Sequence, residues 1–293
     1  MPEVSIVIVC MNRPDILFPC LDSIRAQNQV AYECLVVAYF FSPENLSLLK
    51  EKYPGVQVVE SNELRGFSEN NNLALRQARG KYCFIVNDDT LEEMPVIDRL
   101  VEDLESLPEN VAAISPCIRF ADGRIQTCGR TRWTPWRYAR HYLHLVKEAP
   151  SSSYSQTYTL NGACFLIKTE AFRKVGWFDE RYFFTPEDIA LGHALNDAGY
   201  AVWADPEVTI THLAGGSVSA MEAAIKPARV RGAMLFYGEP LWLKCFVWSV
   251  ELLRYLKNSL VPGRDVYRKS ALNVMKTVFS HRTPKEIFMR FRP

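Results

Sequence analysis

Between Val4 and Leu107 the chain alternates short β-branched runs with amphipathic stretches, and no other feature restricts its fold as much. Val4 to Cys10, Glu33 to Ala38, Val56 to Val59 and Tyr82 to Val86 read as buried strands. Leu17, Leu21 and Ile24 recur at helical spacing behind Pro14. Further helices are expected from Pro43 to about Tyr53, from Phe67 to Ala78 with Gly80 as C-cap, and from Pro95 to Leu107. A β-α-β-α-β-α-β-α order predicts a doubly wound, mostly parallel sheet flanked by helices. In such sheets ligands collect at the carboxyl ends of the strands. Cys10 to Arg13 and Asn87 to Asp89 both lie there.

The later chain is less regular. Ser115 to Cys128 reads as two short strands joined through Asp122-Gly123, and Gly129 to Ser155 as a long loop. Cys164 to Lys168 is an expected strand, Thr169 to Val175 a short helix, and Pro186 to Ala198 a longer one closed by Gly199. Beyond His212 the pattern is helical, and Trp242, Phe246, Val250, Leu253 and Leu256 form an amphipathic stripe.

Composition excludes several classes. With 48% apolar and 12% aromatic residues the chain can bury a sizeable core, which argues against disorder. No apolar run approaches the ~18 residues of a membrane span. The first apolar run lacks a basic segment ahead of it and reads as a strand, not a signal peptide. Eight cysteines show no metal spacing and read as reduced core thiols, so a cytoplasmic protein is expected, one able to sit peripherally on the inner face of a membrane. The net charge of +1 conceals an asymmetry. Residues 226 to 293 hold 14 Lys/Arg against 4 Asp/Glu, and the rest of the chain 20 against 29.

Three polar islands interrupt the apolar segments: Asn87-Asp88-Asp89, Glu187-Asp188 and His212. A carboxylate buried at a strand end is costly unless a cation meets it. One carboxylate of the first island suits Mg²⁺ or Mn²⁺ while its neighbour meets a ribose hydroxyl; either one equally suits capping the next helix. Glu187-Asp188, at a helix start behind Pro186, reads as a cap or as a general base. His212 reads as a core histidine or as a ligand, its Gly215-Gly216 neighbours allowing close backbone approach.

Taken in order, these pieces resemble the inverting glycosyltransferase family 2. SIVIVCMNRPDILFPCLDSIRAQ is similar to the family's opening strand, Asn-Arg turn and helix. NELRGFSENNNLALRQARGKYCFIVNDDT resembles its Gly-Phe loop, Asn-rich helix start and Asp-containing strand end. NGACFLIKTEAFRKVGWFDERYFFTPEDIAL resembles its acceptor segment with the Glu-Asp base motif, and THLAGGS its terminal His element. The likeness covers residues 3 to 217 and is greatest to rhamnosyltransferase-type members that build bacterial polysaccharides.

The resemblance implies a GT-A fold, a Rossmann-like sheet over 1–217, with a nucleotide-binding part at about 1–115 and an acceptor-binding part at about 116–217. Residues 218–293 are left as a basic amphipathic helical extension. It implies Asp89 and His212 at a metal ion, Asp88 and Asn87 at the ribose or metal shell, and Asn12 and Arg13 in the nucleotide pocket. Gly66 and Asn71 shape its wall. Asn161, Gly162 and Ala163 border the sugar, Trp177 stacks on the acceptor, and Asp188 is the base with Glu187 beside it. The implied partners are a UDP- or dTDP-sugar and a glycan or lipid-linked acceptor. A membrane surface and a second copy of the chain are further candidates for the basic extension, and nucleic acid is not expected.

The sequence departs from the family pattern in three places. The turn after the second strand, Val37-Ala38-Tyr39-Phe40-Phe41-Ser42, lacks the usual Asp that contacts the pyrimidine. Tyr39 or Phe40 is then left to stack on the base. Ala190 stands where many relatives carry another Asp, and His193-Ala194 where they often carry Arg. The competing readings are a non-catalytic nucleotide-sugar or glycan-binding protein and a nucleotidyltransferase; the latter would call for a Gly-rich loop that CMNRPD lacks.

Overall fold

A computed structural model describes residues 2–143, 145, 153–213, 221–238, 240–261, 265–277 and 280–292. In chain order the elements are β1 (Val4–Cys10), α1 (Pro14–Gln27), β2 (Tyr32–Tyr39), α2 (Pro43–Lys52), β3 (Val56–Ser61), α3 (Phe67–Leu75), β4 (Tyr82–Val86), β5 (Thr90–Leu91), α4 (Val96–Ser106), β6 (Val111–Phe120) and β7 (Ile125–Thr127). There follow α5 (Pro135–Tyr142), β8 (Ser155–Thr157), β9 (Cys164–Lys168), α6 (Thr169–Lys174), α7 (Glu187–Asp197), β10 (Ala201–His212), α8 (Glu222–Phe236), α9 (Leu241–Ser259), α10 (Asp265–Met275) and α11 (Pro284–Phe291). The chain divides into two compact units: residues 1–132, 150–178 and 191–216, and residues 133–149, 179–190 and 217–293.

In the first unit the strand order is β3-β2-β1-β4-β9-β6-β10-β5, with β7 on β6 and β8 on β10. β3, β2, β1 and β4 are mutually parallel, as are β6 and β10, and β9 runs antiparallel between the two groups. Both faces of the sheet are covered. Along β1, Ile6, Ile8 and Cys10 enter one hydrophobic layer while Val7 enters the other. Along β4, Tyr82, Phe84 and Val86 alternate in the same way with Cys83 and Ile85. That two-sided burial is why these strands read as continuous apolar runs.

The expected α/β architecture is present, with local corrections. Helix α3 stops at Leu75, and Gly80 is not its cap. Gly80 instead lies against β1, where a Cβ would stand 2.5 Å from the Ser5 nitrogen and 2.7 Å from the Val4 carbonyl carbon. The Ser5 hydroxyl accepts from the Gly80 and Arg79 amides at 2.8 and 3.1 Å and donates to Glu33 at 2.7 Å. Thr169 donates to the Gly80 carbonyl at 2.8 Å. The expected loop after Gly129 contains α5, whose start is set by the Thr134 hydroxyl accepting from the Arg137 amide and by Pro135 in the first turn. Its aromatic and basic residues obscured that signal. β10 was not anticipated because Asp205-Pro206-Glu207 interrupts its pattern; the ladder absorbs these residues as an irregularity between Asp205 and Thr209.

The second unit is helical. Trp133 and Tyr138 pack with Val230, Ala233 and Met234 of α8, Val247, Val250 and Tyr255 of α9, and Ala271 and Val274 of α10. A buried carboxylate, Glu251, pairs with Arg254 at 2.6 Å and accepts from the Tyr138 hydroxyl at 2.5 Å. The expected stripe on α9 is shifted: Leu243, Val247, Val250 and Tyr255 are buried, whereas Trp242, Leu253 and Leu256 are exposed. Replacing Gly80 with Ala forces a Cβ into the β1 backbone. We expect a loss of about 1–3 kcal/mol, the usual cost of overpacking, in urea unfolding of Gly80→Ala.

Candidate functional site

The carboxyl ends of β1, β2 and β4 carry the first group of candidates. Asn12 turns the chain off β1 with a positive φ of 51°, a conformation Asn tolerates well. Its Oδ1 accepts from the Ser42 amide at 3.0 Å and from Asn45 Nδ2 at 2.9 Å, which ties the end of β1 to the start of α2. Arg13 forms a bidentate pair with Asp15 at 2.9 and 2.7 Å. At the end of β2, Phe40 also has φ 51° and is 41% exposed, with its amide on the Ser61 carbonyl at 2.9 Å. Its ring centroid lies 4.6 Å from that of Tyr39. The Tyr39 hydroxyl is committed to the Arg65 backbone, donating to its carbonyl at 3.0 Å and accepting from its amide at 3.1 Å. Of the two aromatic candidates, Phe40 is thus the one with an open face.

Asn87, Asp88 and Asp89 follow β4 directly. The Asn87 amide continues the β4–β9 ladder to the Ala163 carbonyl at 2.9 Å, so Asn161, Gly162 and Ala163 stand beside the triplet. Asn161 Oδ1 accepts from the Ala163 amide at 2.9 Å and shapes the entry to β9. The Asp88 carboxyl lies against the Cys10 thiol, and burial followed by the Asp89 charge pushes its pKa up to about 6.

Asp89 and His212 are joined by pairing of the short β5 with the end of β10. His212 faces Thr90 across the ladder, and the Leu213 amide donates to the Asp89 carbonyl at 2.8 Å. His212 Nε2 then lies 3.0 Å from Asp89 Oδ1, with both side chains largely buried, and 3.5 Å from Asn87 Nδ2. The other ring nitrogen, Nδ1, donates to Gln126 Oε1 at 2.7 Å. Gln126 is the extra residue of a bulge in β7, between the Ile118–Thr127 and Arg119–Ile125 pairs. A bulge re-aims a side chain, and here it aims the carboxamide at the imidazole. Among the described residues no three or more His, Cys, Asp or Glu are arranged to hold a metal ion. The Asp89–His212 pair nonetheless fits a divalent ion: one carboxylate oxygen and one imidazole nitrogen converge, and the second ring nitrogen is held by an acceptor.

The remaining expected residues of the first unit occupy varied settings. The Gly66 amide donates to Glu69 at 2.9 Å and opens α3. The Asn71 side chain is buried and donates to the Phe67 carbonyl at 2.9 Å. Its neighbour Asn72, which the sequence did not single out, bonds both the Phe178 carbonyl and amide at 2.9 and 3.2 Å. Trp177, with φ 67°, is half-buried edge-on against Phe172, with the Arg173 guanidinium 5.6 Å from its ring. Gly215 and Gly216 lie outside the described residues. Gln126 carries no signal of its role in the sequence; Phe40 stands in the turn that lacks the family's usual Asp.

In the second unit Glu187 and Asp188 open α7. Glu187 is buried, and its Oε2 has no hydrogen-bond partner. Burial, and then the Asp188 charge, raise its pKa well above the ordinary carboxylate range. Asp188 reaches solvent more readily and accepts from the Ile189 amide at 2.8 Å.

A family model described as Glycosyltransferase like family 2 matches residues 2–231. O-antigen biosynthesis protein RfbC of Myxococcus xanthus is 28% identical over 222 residues, a match spanning 72% of this chain but only 17% of that protein. The N-acetylglucosaminyl-diphospho-decaprenol L-rhamnosyltransferase of Mycobacterium tuberculosis is 24% identical over 255 residues, covering 78% of this chain and 82% of that one. Among solved structures, GalNAc-T7 with UDP, GalNAc and Mn²⁺ superposes with a TM-score of 0.59 at 16% identity, over 85% of this chain and 54% of that one. The mannosyltransferase PcManGT of Pyrobaculum calidifontis, with GDP-Man and Mn²⁺, gives 0.58 at 18% identity over 99% and 79%. The sheet and its flanking helices are thus those of the GT-A glycosyltransferases.

Proposed function

The chain belongs to glycosyltransferase family 2, and on that premise we propose that it moves a sugar, with inversion, from a UDP- or dTDP-sugar to a hydroxyl of a glycan or lipid-linked acceptor in bacterial polysaccharide synthesis. The observation that carries this reading is the Asp89 Oδ1–His212 Nε2 approach of 3.0 Å, with Gln126 holding the far side of the imidazole. Asp89 and His212 would hold Mg²⁺ or Mn²⁺, supplying one carboxylate oxygen and one imidazole nitrogen. When bound, the ion offsets charge on the departing diphosphate. Asp88 and Asn87 serve the ribose and the metal shell, Asn12 and Arg13 line the nucleotide pocket with Gly66 and Asn71, and Phe40 offers its open ring to the base. Asn161 to Ala163 border the sugar, and Trp177 receives the acceptor.

Asp188 takes the proton of the acceptor hydroxyl. The oxygen attacks the anomeric carbon opposite the leaving group, and the anomeric C–O bond breaks toward the diphosphate. The contrast within the Glu187-Asp188 pair supports this role. Burial disfavours charge on Glu187, while Asp188 is the partly exposed member that a substrate hydroxyl can reach.

Two variants test the reading. Asp89→Ala should lose the Mn²⁺-dependent part of UDP binding in calorimetry while keeping its circular dichroism; an unchanged Mn²⁺ dependence would remove Asp89 from the metal. Asp188→Asn should lower turnover by about 10²–10⁴-fold and leave UDP affinity unchanged. If that variant stays active while Glu187→Gln is inert, the base is Glu187.

The lipid-linked acceptor draws support from the second unit. Trp242, Leu253 and Leu256 fall on one face of α9, Leu260 follows at its C-cap, and the four are 43–84% exposed. Arg268 and Lys269 are exposed on α10 and Lys276 directly after it; Arg264 lies outside the described residues. No described helix is long and apolar enough to cross a membrane. Apolar side chains beside basic ones suit the surface of an anionic bilayer, each well-placed charge contributing about 1 kcal/mol. Binding to anionic vesicles should fall steeply as salt rises, and replacing Arg268, Lys269 and Lys276 with Gln should weaken it. No binding at low salt would show that this face serves another purpose.

A further inference from the structure

Cys117 lies near the end of β6, and Cys128 directly follows β7. The ladder pairs Ile118 with Thr127, so its next step sets Cys117 opposite Cys128. Cα atoms of facing antiparallel residues are about 4.5–5.5 Å apart, within the ~4.4–6.8 Å that a disulfide spans. Both thiols are reduced and buried, and with Ala204 they form a small cluster of their own. Each is the other's hydrogen-bond partner. That shared hydrogen bond and the Arg119 guanidinium favour the thiolate at Cys117. Other cysteines have different partners: the Cys20 and Cys83 thiols meet the Thr90 and Thr169 hydroxyls. β7 is only three residues long and pairs with β6 alone, the kind of short segment that opens locally.

We propose that Cys117 and Cys128 are a reversible disulfide site, closed by a low-molecular-weight disulfide such as glutathione disulfide. The Cys117 thiolate attacks one glutathione sulfur, breaks that S–S bond and releases a glutathione thiolate, which is protonated. Cys128 then loses its proton, attacks the Cys117 sulfur of the mixed disulfide and displaces the second glutathione. Two protein thiols are oxidised, and one glutathione disulfide is reduced to two thiols. The new bond pins β7 to β6. Gln126, the bulge residue whose carboxamide holds His212, lies two positions before Cys128, so oxidation fixes the strand that orients that imidazole. This inference does not depend on which sugar or acceptor the chain uses.

The test treats the intact protein with glutathione disulfide, alkylates it in denaturant and digests it with trypsin without reductant. Residues 100–119 and 125–130 are separate tryptic peptides, each with one cysteine. They should appear joined, should separate on adding dithiothreitol, and should remain unlinked in Cys117→Ser and in Cys128→Ser. The free thiol count in denaturant should fall by two from eight, and amide exchange at 125–127 should slow. Because the wild-type map decides the matter, a variant that folds poorly does not weaken the test. Recovery of the two peptides singly alkylated, a stable glutathione adduct on either one, or a link to a different cysteine overturns the assignment.

Discussion

The Asp89–His212 pair hangs on a two-residue ladder. β5 is only Thr90 and Leu91, yet its antiparallel pairing with the end of β10 brings His212 to Asp89. β10 reaches that point as the parallel partner of β6. β6 in turn carries β7, whose bulge directs Gln126 at the far side of the imidazole. The imidazole is held from both nitrogens by backbone-anchored groups, so neither its tautomer nor its orientation is left to solvent. Without the β5–β10 pair, Asp89 would be one more carboxylate at a strand end.

The part of this arrangement that was readable in the sequence is the local part. β1, β2 and β4 are legible because they are buried on both faces, and α1, α2 and α4 because proline stands at their starts. Asn87 to Asp89 were legible because carboxylates directly after an apolar run are unusual. Long-range pairing left no such trace. Gln126 shows nothing in the sequence of its approach to a histidine far along the chain. β10 was hidden by its own irregularity at Asp205 to Thr209. A glycine after a helix usually means a C-cap, whereas at Gly80 close approach to Ser5 is the actual constraint. On α9 the apolar residues are so dense that helical spacing alone did not separate the core face from the exposed one.

Burial of carboxyl groups is widespread in this chain, so a raised pKa does not by itself mark a functional group. Glu92 is pushed up to about 7 by burial, yet Asn28 donates to it at 2.6 Å and it does no evident chemistry. A carboxyl raised in the folded state contributes stability that is complete below its unfolded value and lost as pH climbs through the folded one. Glu92 therefore holds the fold best in acid and loses that contribution toward neutrality. Asp88 is shifted for the same first reason, but it also lies beside the Cys10 thiol and beside Asp89, at the end of the sheet where ligands gather. Position and partners, not the size of the shift, separate the two.

Glu187 and Asp188 illustrate the same distinction within a single dipeptide. Both begin a helix, where the backbone amides favour negative charge. Only one can use that advantage fully, because two adjacent carboxylates repel and Glu187 has been taken out of water. Its Oε2 lacks a partner, so ionising it would leave a buried charge uncompensated on that side. Burial therefore disfavours the charged form of Glu187, and the adjacent Asp188 charge acts in the same direction. The two carboxyls thus differ in setting: Glu187 is buried, whereas Asp188 is partly exposed and accepts from the Ile189 amide.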